Sequence, residues 1–160
     1  MGIIATFTSG LSVEETITVN AALLTDPSIT HNHGTTKTLN STSTPAGTKV
    51  ASGQIALVDG AATLDLSAVP SKDNVTVNGT GLTVQSVKFI VPGENAITVE
   101  KGGTNGYDGL GTAFSEDSGA NGGEENRLTM GHGSAIGSGN KPLDLTGTGT
   151  DVLQYIIVFG

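Results

Sequence analysis

The stretch from Thr83 to Val99, TVQSVKFIVPGENAITV, has the strongest strand pattern in the chain and most constrains its fold. From Val84 to Val91 one side of the extended chain is largely apolar and the other is mixed, which is the pattern of a half-buried strand. The next segment, PGEN at 92–95, favours a turn because proline lacks a ladder donor while glycine and asparagine adopt turn dihedrals. The pattern predicts an antiparallel hairpin, with Ile97–Val99 as its second strand, at the centre of a β-sandwich.

The composition favours an all-β fold for the whole chain. Glycine contributes 24 of the 160 residues, aromatic residues 4% and charged residues 14%. Glycine combined with short Thr- and Val-rich segments is typical of strands joined by tight turns, and a chain of this length suits one core. The sequence therefore predicts a single domain over residues 1–160, an antiparallel β-sandwich or jelly-roll with long Gly/Thr-rich loops. Residues 1–10 are a candidate extended arm.

The amino-terminal part is predicted to contain short strands followed by a long loop. Ile3–Thr8 and Glu15–Asn20 alternate apolar and polar residues, and Ser9-Gly10 separates them. Residues 25–47 are polar and rich in turn formers, and only Thr35–Leu39 has a strand pattern within them. A connection of this length is usually functional, disordered or docked on a neighbour.

Later segments predict a second hairpin and further strands. Asp59-Gly60 lies between Lys49–Val58 and Ala61–Leu66, and a two-residue Asp-Gly between strands strongly favours a hairpin. The closing segment 151–159, DVLQYIIVF, is so apolar that it should lie inside a sheet. Leu110–Phe114 and Arg127–Met130 are the predicted strands of the Gly-rich region between them.

Two parts of the chain share a short sequence pattern. LDLS at 64–67, followed by GTG at 79–81, recurs as LDLT at 143–146, followed by GTG at 147–149. The spacing differs between the two copies, so the pattern is not the repeat of a solenoid protein. The simpler explanation is that the same turn-forming residues precede similar strands. The alternative is a pseudo-repeat in which the strands that follow, from Val84 and from Val152, hold equivalent positions in two facing sheets.

Charge and composition disfavour several classes of protein. The formal net charge is -8, and the 7 lysines and arginines are scattered, whereas a nucleic-acid-binding protein needs a basic stripe. The chain has no cysteine, which excludes disulfides, Cys-based zinc sites and thiol catalysis. No apolar run approaches the roughly 20 residues of a membrane helix, and no secretory signal opens the sequence. We therefore expect neither nucleic acid nor membrane as a partner.

Three histidines are the candidate zinc ligands. His31 and His33 would point the same way on an extended chain, and His132 could supply a third ligand. Histidines in a loop-rich chain are more often simply solvated. We therefore predict no metal there.

An acidic loop contains the candidate calcium ligands. The segment 116–125, EDSGANGGEE, gathers carboxylates and an amide around glycines, and calcium prefers oxygen ligands. Asp117, Asn121 and Glu124 are the candidates. Their spacing does not match an EF-hand loop, so a hydrated acidic surface loop is the favoured interpretation.

The sequence lacks the common motifs of catalysis and cofactor binding. It has no Gly-x-Ser-x-Gly elbow and no phosphate loop, and the glycines at 102, 103, 106, 109 and 111 miss the dinucleotide-binding spacing. A sugar-cleaving cleft would need aromatic platforms, and the chain has no tryptophan. The prediction is a non-enzymatic protein without a cofactor.

Four segments of the chain resemble a recurrent kind of small structural protein of tailed bacteriophages. They are VKF at 87–89, NAITV at 95–99, TNGYDGLG at 104–111 and LDLTGTG at 143–149. The likeness covers about half of the chain, from Val75 onward, and its motifs are structural rather than catalytic. Residues 116–127 depart from it by being more acidic.

The resemblance implies a virion component, either a β-sandwich or jelly-roll protein that decorates the capsid or a part of the tail. Such a protein would be assembled in the host bacterial cytoplasm and would bind the major capsid protein or other virion proteins. It would form a homo-oligomer, with a trimer favoured. Ile3, Ile4 and Phe7 of the arm are the candidate assembly contacts.

Two alternatives to capsid decoration stay open from the sequence. A tail tube or tail-fibre component would form rings or fibres instead of binding a shell. A ligand-binding β-sandwich, specific for carbohydrate or calcium, would use Tyr107, Asp108 and the acidic loop.

Overall fold

A computed structural model describes residues 3–16, 28–72, 74–111, 113–116 and 123–160. The described residues form twelve β-strands. Their bounds are β1 Ile4–Thr16, β2 Ser28–Asn40, β3 Lys49–Ala56, β4 Ala61–Asp65, β5 Val69–Pro70, β6 Thr76–Val77, β7 Val84–Val91, β8 Ile97–Lys101, β9 Ala113–Glu116, β10 Gly123–Leu128, β11 Pro142–Thr146 and β12 Val152–Phe159. Within these ranges no helix has the length and apolar character needed to cross a membrane.

The strands form two four-stranded antiparallel sheets. The front sheet has the order β10-β7-β12-β3, and the back sheet has the order β4-β11-β8-β9. β1 and β2 pair only with each other and form a long ribbon, while β5 and β6 form a short pair beside β3. The predicted all-β, antiparallel, sandwich-like class is confirmed.

One apolar core joins the two sheets. Every second side chain of the central front strands points inward and meets the inward side chains of the back sheet. Burying each of these large side chains stabilises the fold by roughly 1.5–3 kcal/mol. The front sheet contributes Val87, Phe89, Val91, Leu153, Ile157 and Phe159, and the back sheet contributes Leu64, Ile97, Val99, Leu143 and Leu145.

The predicted central hairpin is wrong in its pairing. Thr83–Val99 does form two strands with a break at residues 92–96, but β7 belongs to the front sheet and β8 to the back sheet. Both edges of β7 are already occupied, by β10 and by β12. The chain therefore crosses the sandwich after Val91, and Ile97 covers the same core from the opposite side.

The predicted Asp-Gly hairpin is right in its turn and wrong beyond it. Asp59 and Gly60 have φ angles of 53° and 80°, the left-handed pair of a tight two-residue turn, which glycine adopts without strain. The backbone groups of Val58 and Ala61 bond to each other across this turn. The strands then separate, because β3 pairs with β12 and β4 pairs with β11.

The ribbon replaces the two short strands and the polar loop expected near the amino terminus. β1 continues through Ser9-Gly10 without a break, and β2 begins well before Thr35. Thirteen residues of each strand pair, from Ile4 with Asn40 to Thr16 with Ser28. A strand with solvent on both faces needs no apolar alternation, so the Thr-rich sequence of β2 hid it. Residues 17–20 of the second predicted strand lie outside the described residues.

The remaining strand predictions have mixed outcomes. β12 lies inside a sheet, as predicted, between β3 and β7. The two strands of the Gly-rich region exist as β9 and β10, displaced by two to four residues from the predicted starts and ends. The pseudo-repeat in facing sheets is wrong, because β7 and β12 are neighbours in one sheet. The two LDL segments lie on the neighbouring strands β4 and β11 and meet at the pair Leu64 and Leu143.

Candidate functional site

The outer face of the front sheet carries a mixed apolar and basic surface. Leu153, Tyr155 and Ile157 point into the core, so Gln154 and Ile156 point outward by strand alternation. Ile156 pairs with Ser52 of β3 on one side and with Lys88 of β7 on the other. Ile156 on the central strand β12 is 44% exposed, and Val50 on the edge strand β3 is 40% exposed.

A groove of about 480 Å³ runs over this outer face, and we call it the front groove. Ile90, Ile156 and Pro70 give it apolar patches, while Lys72 and Lys88 are its charged residues among the described part of the chain. The full lining consists of Ser52, Gly53, Gln54, Pro70, Ser71, Lys72, Lys88, Ile90, Gln154, Tyr155 and Ile156. Such a surface suits an amphipathic, acidic segment of chain better than a small polar molecule.

Tyr155 fixes one wall of the front groove. Its hydroxyl donates a hydrogen bond of 2.7 Å to the carbonyl oxygen of Pro70, which ties β12 to β5. Burial raises the pKa of Tyr155, so the hydroxyl stays protonated as a donor. Gly53 makes this contact sterically feasible, because a Cβ there would lie 2.8 Å from the Tyr155 oxygen.

The base of the ribbon lies against the same outer face. A second groove, of about 440 Å³, separates residues 4–8 from Val50, Lys88 and Ile156. Residues directly opposite in an antiparallel pair share a face, so Phe7 lies on the same face as Lys37. Phe7 and Lys37 are half-buried, and Leu39 on that face is buried.

Beyond its base, the described side chains of the ribbon, those of residues 8–14 and 30–36, are exposed. The face that covers the front sheet at the base continues outward through Leu11 and Val13, which lie opposite His33 and His31. Leu11 is 67% exposed and Val13 is 45% exposed. The ribbon therefore presents an apolar stripe to solvent.

The candidate assembly contacts of the arm divide between two faces of the ribbon. Phe7 and Ile3 are half-buried, and Phe7 lies on the face that packs against the protein's own front sheet. Ile4 lies on the opposite face and is 79% exposed. Ile4 alone among the three is fully available to another molecule.

The histidines considered as zinc ligands do not form a site. His31 and His33 lie on the exposed ribbon, whereas His132 follows β10 in a turn. The described residues contain no group of three or more histidine, aspartate or glutamate side chains that could bind a metal ion. Of the candidate calcium ligands, Asp117 and Asn121 lie outside the described residues, and so does the side chain of Glu124.

The loop from Lys101 to Gly111 contributes to the packing of the core. Tyr107 is fully buried, and its hydroxyl accepts a hydrogen bond of 2.9 Å from the backbone N–H of Val84. Burial raises the pKa of Tyr107, the bond from Val84 lowers it in part, and the charge of Asp108 raises it. The phenol is therefore neutral and committed to the core, which removes Tyr107 as a surface ligand-binding group.

Asp108 is also engaged within the protein. One carboxylate oxygen accepts a hydrogen bond of 3.1 Å from the backbone N–H of Ser134, and the Asp108 N–H donates to the side-chain oxygen of Asn140. The Asn140 amide in turn donates to the carbonyl of Ser134 at 2.7 Å. This network holds the 101–111 loop against the 131–140 turn.

Sequence reasoning missed the front groove. The alternation within β12 was a usable signal, because it places Gln154 and Ile156 together on the outer face. The approach of Lys72 to this face had no sequence signal, since it depends on the bond between the Lys72 N–H and the Ser52 carbonyl, 2.8 Å long.

Comparisons of the chain with models of known protein families, with curated proteins and with solved structures found no match.

Proposed function

We propose that this chain is a non-enzymatic structural protein of a tailed-bacteriophage virion, and specifically a capsid decoration or cement protein. One observation carries the proposal: a β-sandwich without disulfides carries a thirteen-pair ribbon whose residues 8–14 and 30–36 are exposed. Such elements serve to join subunits, because an isolated two-stranded ribbon is marginally stable in water. The likeness of residues 87–149 to phage structural proteins gives the proposal its biological setting.

In this proposal the chain binds the major capsid protein and associates with copies of itself, with a trimer as the expected number. A decoration protein stabilises a head by bridging neighbouring capsid subunits, so it needs exposed contact elements and no reaction centre. The ribbon, and Ile4 at its base, supply such contacts. The buried hydroxyls of Tyr107 and Tyr155 serve packing, which agrees with a structural role.

The test is binding to expanded heads of the phage that encodes the chain. The purified protein should co-sediment with undecorated heads, and electron cryomicroscopy should place a β-sandwich on the outer surface of the shell. Lys101→Glu, at an exposed position of the back sheet, serves as a control for unspecific charge effects. Stacked rings or fibres without binding to heads would refute decoration and favour a tail component.

The ligand-binding alternative is tested separately. A carbohydrate or calcium module should show signals on a glycan array or a thermal shift with calcium, whereas a decoration protein should show neither. A positive result in either assay would contradict the proposal.

A further inference from the structure

The outer half of the ribbon requires a partner on physical grounds. Residues 8–16 and 28–36 form a two-stranded sheet with two free edges, and the described side chains there are exposed on both faces. Two strands alone are marginally stable, and a third strand or a packed face is normally needed. We call this segment the distal ribbon. It is most stable when one of its faces is covered.

The base of the ribbon indicates which surface can cover it. There, the face with Phe7 and Leu39 lies over the outer side of the front sheet. The same face continues without interruption to Leu11 and Val13. The distal stripe is thus the extension of a face that already packs on this kind of surface.

The front groove, which is open, has the matching character. It lies next to the area that the ribbon base covers, and both share Lys88 and Ile156. The described side chains of the distal ribbon are exposed and do not line the groove of their own copy. A second copy can fill it.

The charges of the two surfaces are complementary. Glu14 and Glu15 lie at the end of the distal ribbon, and strand alternation places position 15 on the face of Leu11 and Val13 and position 14 on the opposite face. Residues 8–16 and 28–36 contain no lysine or arginine. Lys72 and Lys88 line the groove, in a chain with a net charge of -8. Lys72 lies at the β3 side of the groove, since its backbone N–H donates a hydrogen bond to the Ser52 carbonyl.

The contact area is sufficient when each copy gives one ribbon and receives one. Nine residue pairs span about 30 Å, and two strands are about 10 Å wide, so one ribbon face covers about 300 Å². Two exchanged ribbons, counted on both partners, bury about 1,200 Å², which is the lower limit of specific interfaces.

We infer that the distal ribbon of one copy lies in the front groove of a second copy, with Leu11 and Val13 against Ile90 and Ile156 and with strand position Glu15 near Lys72. The inference specifies the self-association in the proposed function and rests on that part alone. A chain that self-associates without binding heads would refute decoration and leave the exchange standing. A monomer that binds heads would refute the exchange and leave decoration standing.

The first experiment uses sedimentation equilibrium of the full chain at about 100 μM, well above a micromolar Kd. The mass should be a multiple of 16.0 kDa. Lys72→Glu should weaken association about tenfold because it places like charges together. Adding Glu15→Lys to that variant should restore it. Val58→Asp changes a 71% exposed residue elsewhere and should have no effect.

The second experiment exploits the absence of cysteine from the chain. Val13→Cys combined with Ile156→Cys, or Leu11→Cys combined with Ile90→Cys, should form disulfide-linked oligomers under mild oxidation. Val13→Cys combined with Val58→Cys should not. A monomeric wild type would overturn the inference. An oligomer that is insensitive to Lys72→Glu and gives no link in either groove pair would overturn it as well.

Discussion

Tyr107 and Tyr155 are both buried, but their hydroxyl groups make hydrogen bonds in different surroundings. The Tyr107 hydroxyl satisfies the N–H of Val84 inside the core, whereas the Tyr155 hydroxyl bonds the carbonyl of the exposed Pro70. Tyr107→Phe leaves a buried donor unpaired and should lower the free energy of unfolding by about 1–3 kcal/mol. Tyr155→Phe should cost under about 1 kcal/mol, because water can replace the bond. Urea unfolding of both variants checks this, and equal losses would contradict it.

Asp65 makes part of the free energy of unfolding depend on pH. Burial raises the pKa of Asp65, but hydrogen bonds from Lys141 and Ser67 lower it by more, so the net shift is downward. A carboxylate with a lowered folded pKa stabilises the fold above its unfolded value of about 3.9, and that stability is lost as pH falls through the folded pKa. The Asp65 and Lys141 side chains are each 37% exposed, so solvent screening limits the contribution to about 1 kcal/mol.

Asp65→Asn should make the free energy of unfolding depend less on pH under acidic conditions. Its free energy of unfolding should fall less steeply between pH 5 and pH 2 than that of the wild type, with a small loss at neutral pH. Lys141→Gln should reproduce part of this change, because it removes the 2.8 Å ion pair while keeping the Ser67 bonds. If both variants lose stability with falling pH as steeply as the wild type, the pH dependence does not come from Asp65.

The ribbon is the element that decides the account, and its weak point is the pair Gly10 and Gly34. These glycines lie directly opposite each other, beyond the last half-buried pair of the ribbon. A Cβ would meet its nearest atom at 3.7 Å at Gly10 and 3.5 Å at Gly34, so valine fits at either position. Valine favours strand structure over glycine by about 0.5–1 kcal/mol.

Gly10→Val with Gly34→Val should therefore slow amide hydrogen exchange in residues 8–16. The control is Gly81→Val, which has open space but a φ of 80° that disfavours a side chain, and which should destabilise the protein. Faster exchange in the ribbon of the double variant would show that the glycines are needed for another purpose.

Strand positions could be predicted from the sequence better than strand partners. Alternation identified β7, which has one apolar face and one mixed face, and apolar character identified β12. Alternation carries no information on which sheet a strand joins, so both predicted hairpins were wrong beyond their turns. The front groove escaped prediction for the same reason, because it exists only where β3, β5, β7 and β12 come together.

At the scale of the whole molecule, the inferred exchange pairs the lysines of the front groove with the glutamates at the end of the distal ribbon. An interface of this kind weakens as salt screens the charges, over a Debye length of about 8 Å at physiological ionic strength. The Kd for self-association should therefore rise between 0.05 and 0.5 M sodium chloride. A salt-independent Kd in analytical ultracentrifugation would contradict the charge pairing. The apolar contacts of Leu11 and Val13 should persist at high salt.

The most direct measurement compares the solution mass of the full chain with that of a ribbon-shortened variant. In the variant, residues 11–33 are replaced by a two-residue Asn-Gly turn, which joins the facing glycines 10 and 34 and keeps the ribbon base. The account predicts a multiple of 16.0 kDa for the full chain and a single folded copy for the shortened variant. Equal numbers of copies in the two proteins would contradict it.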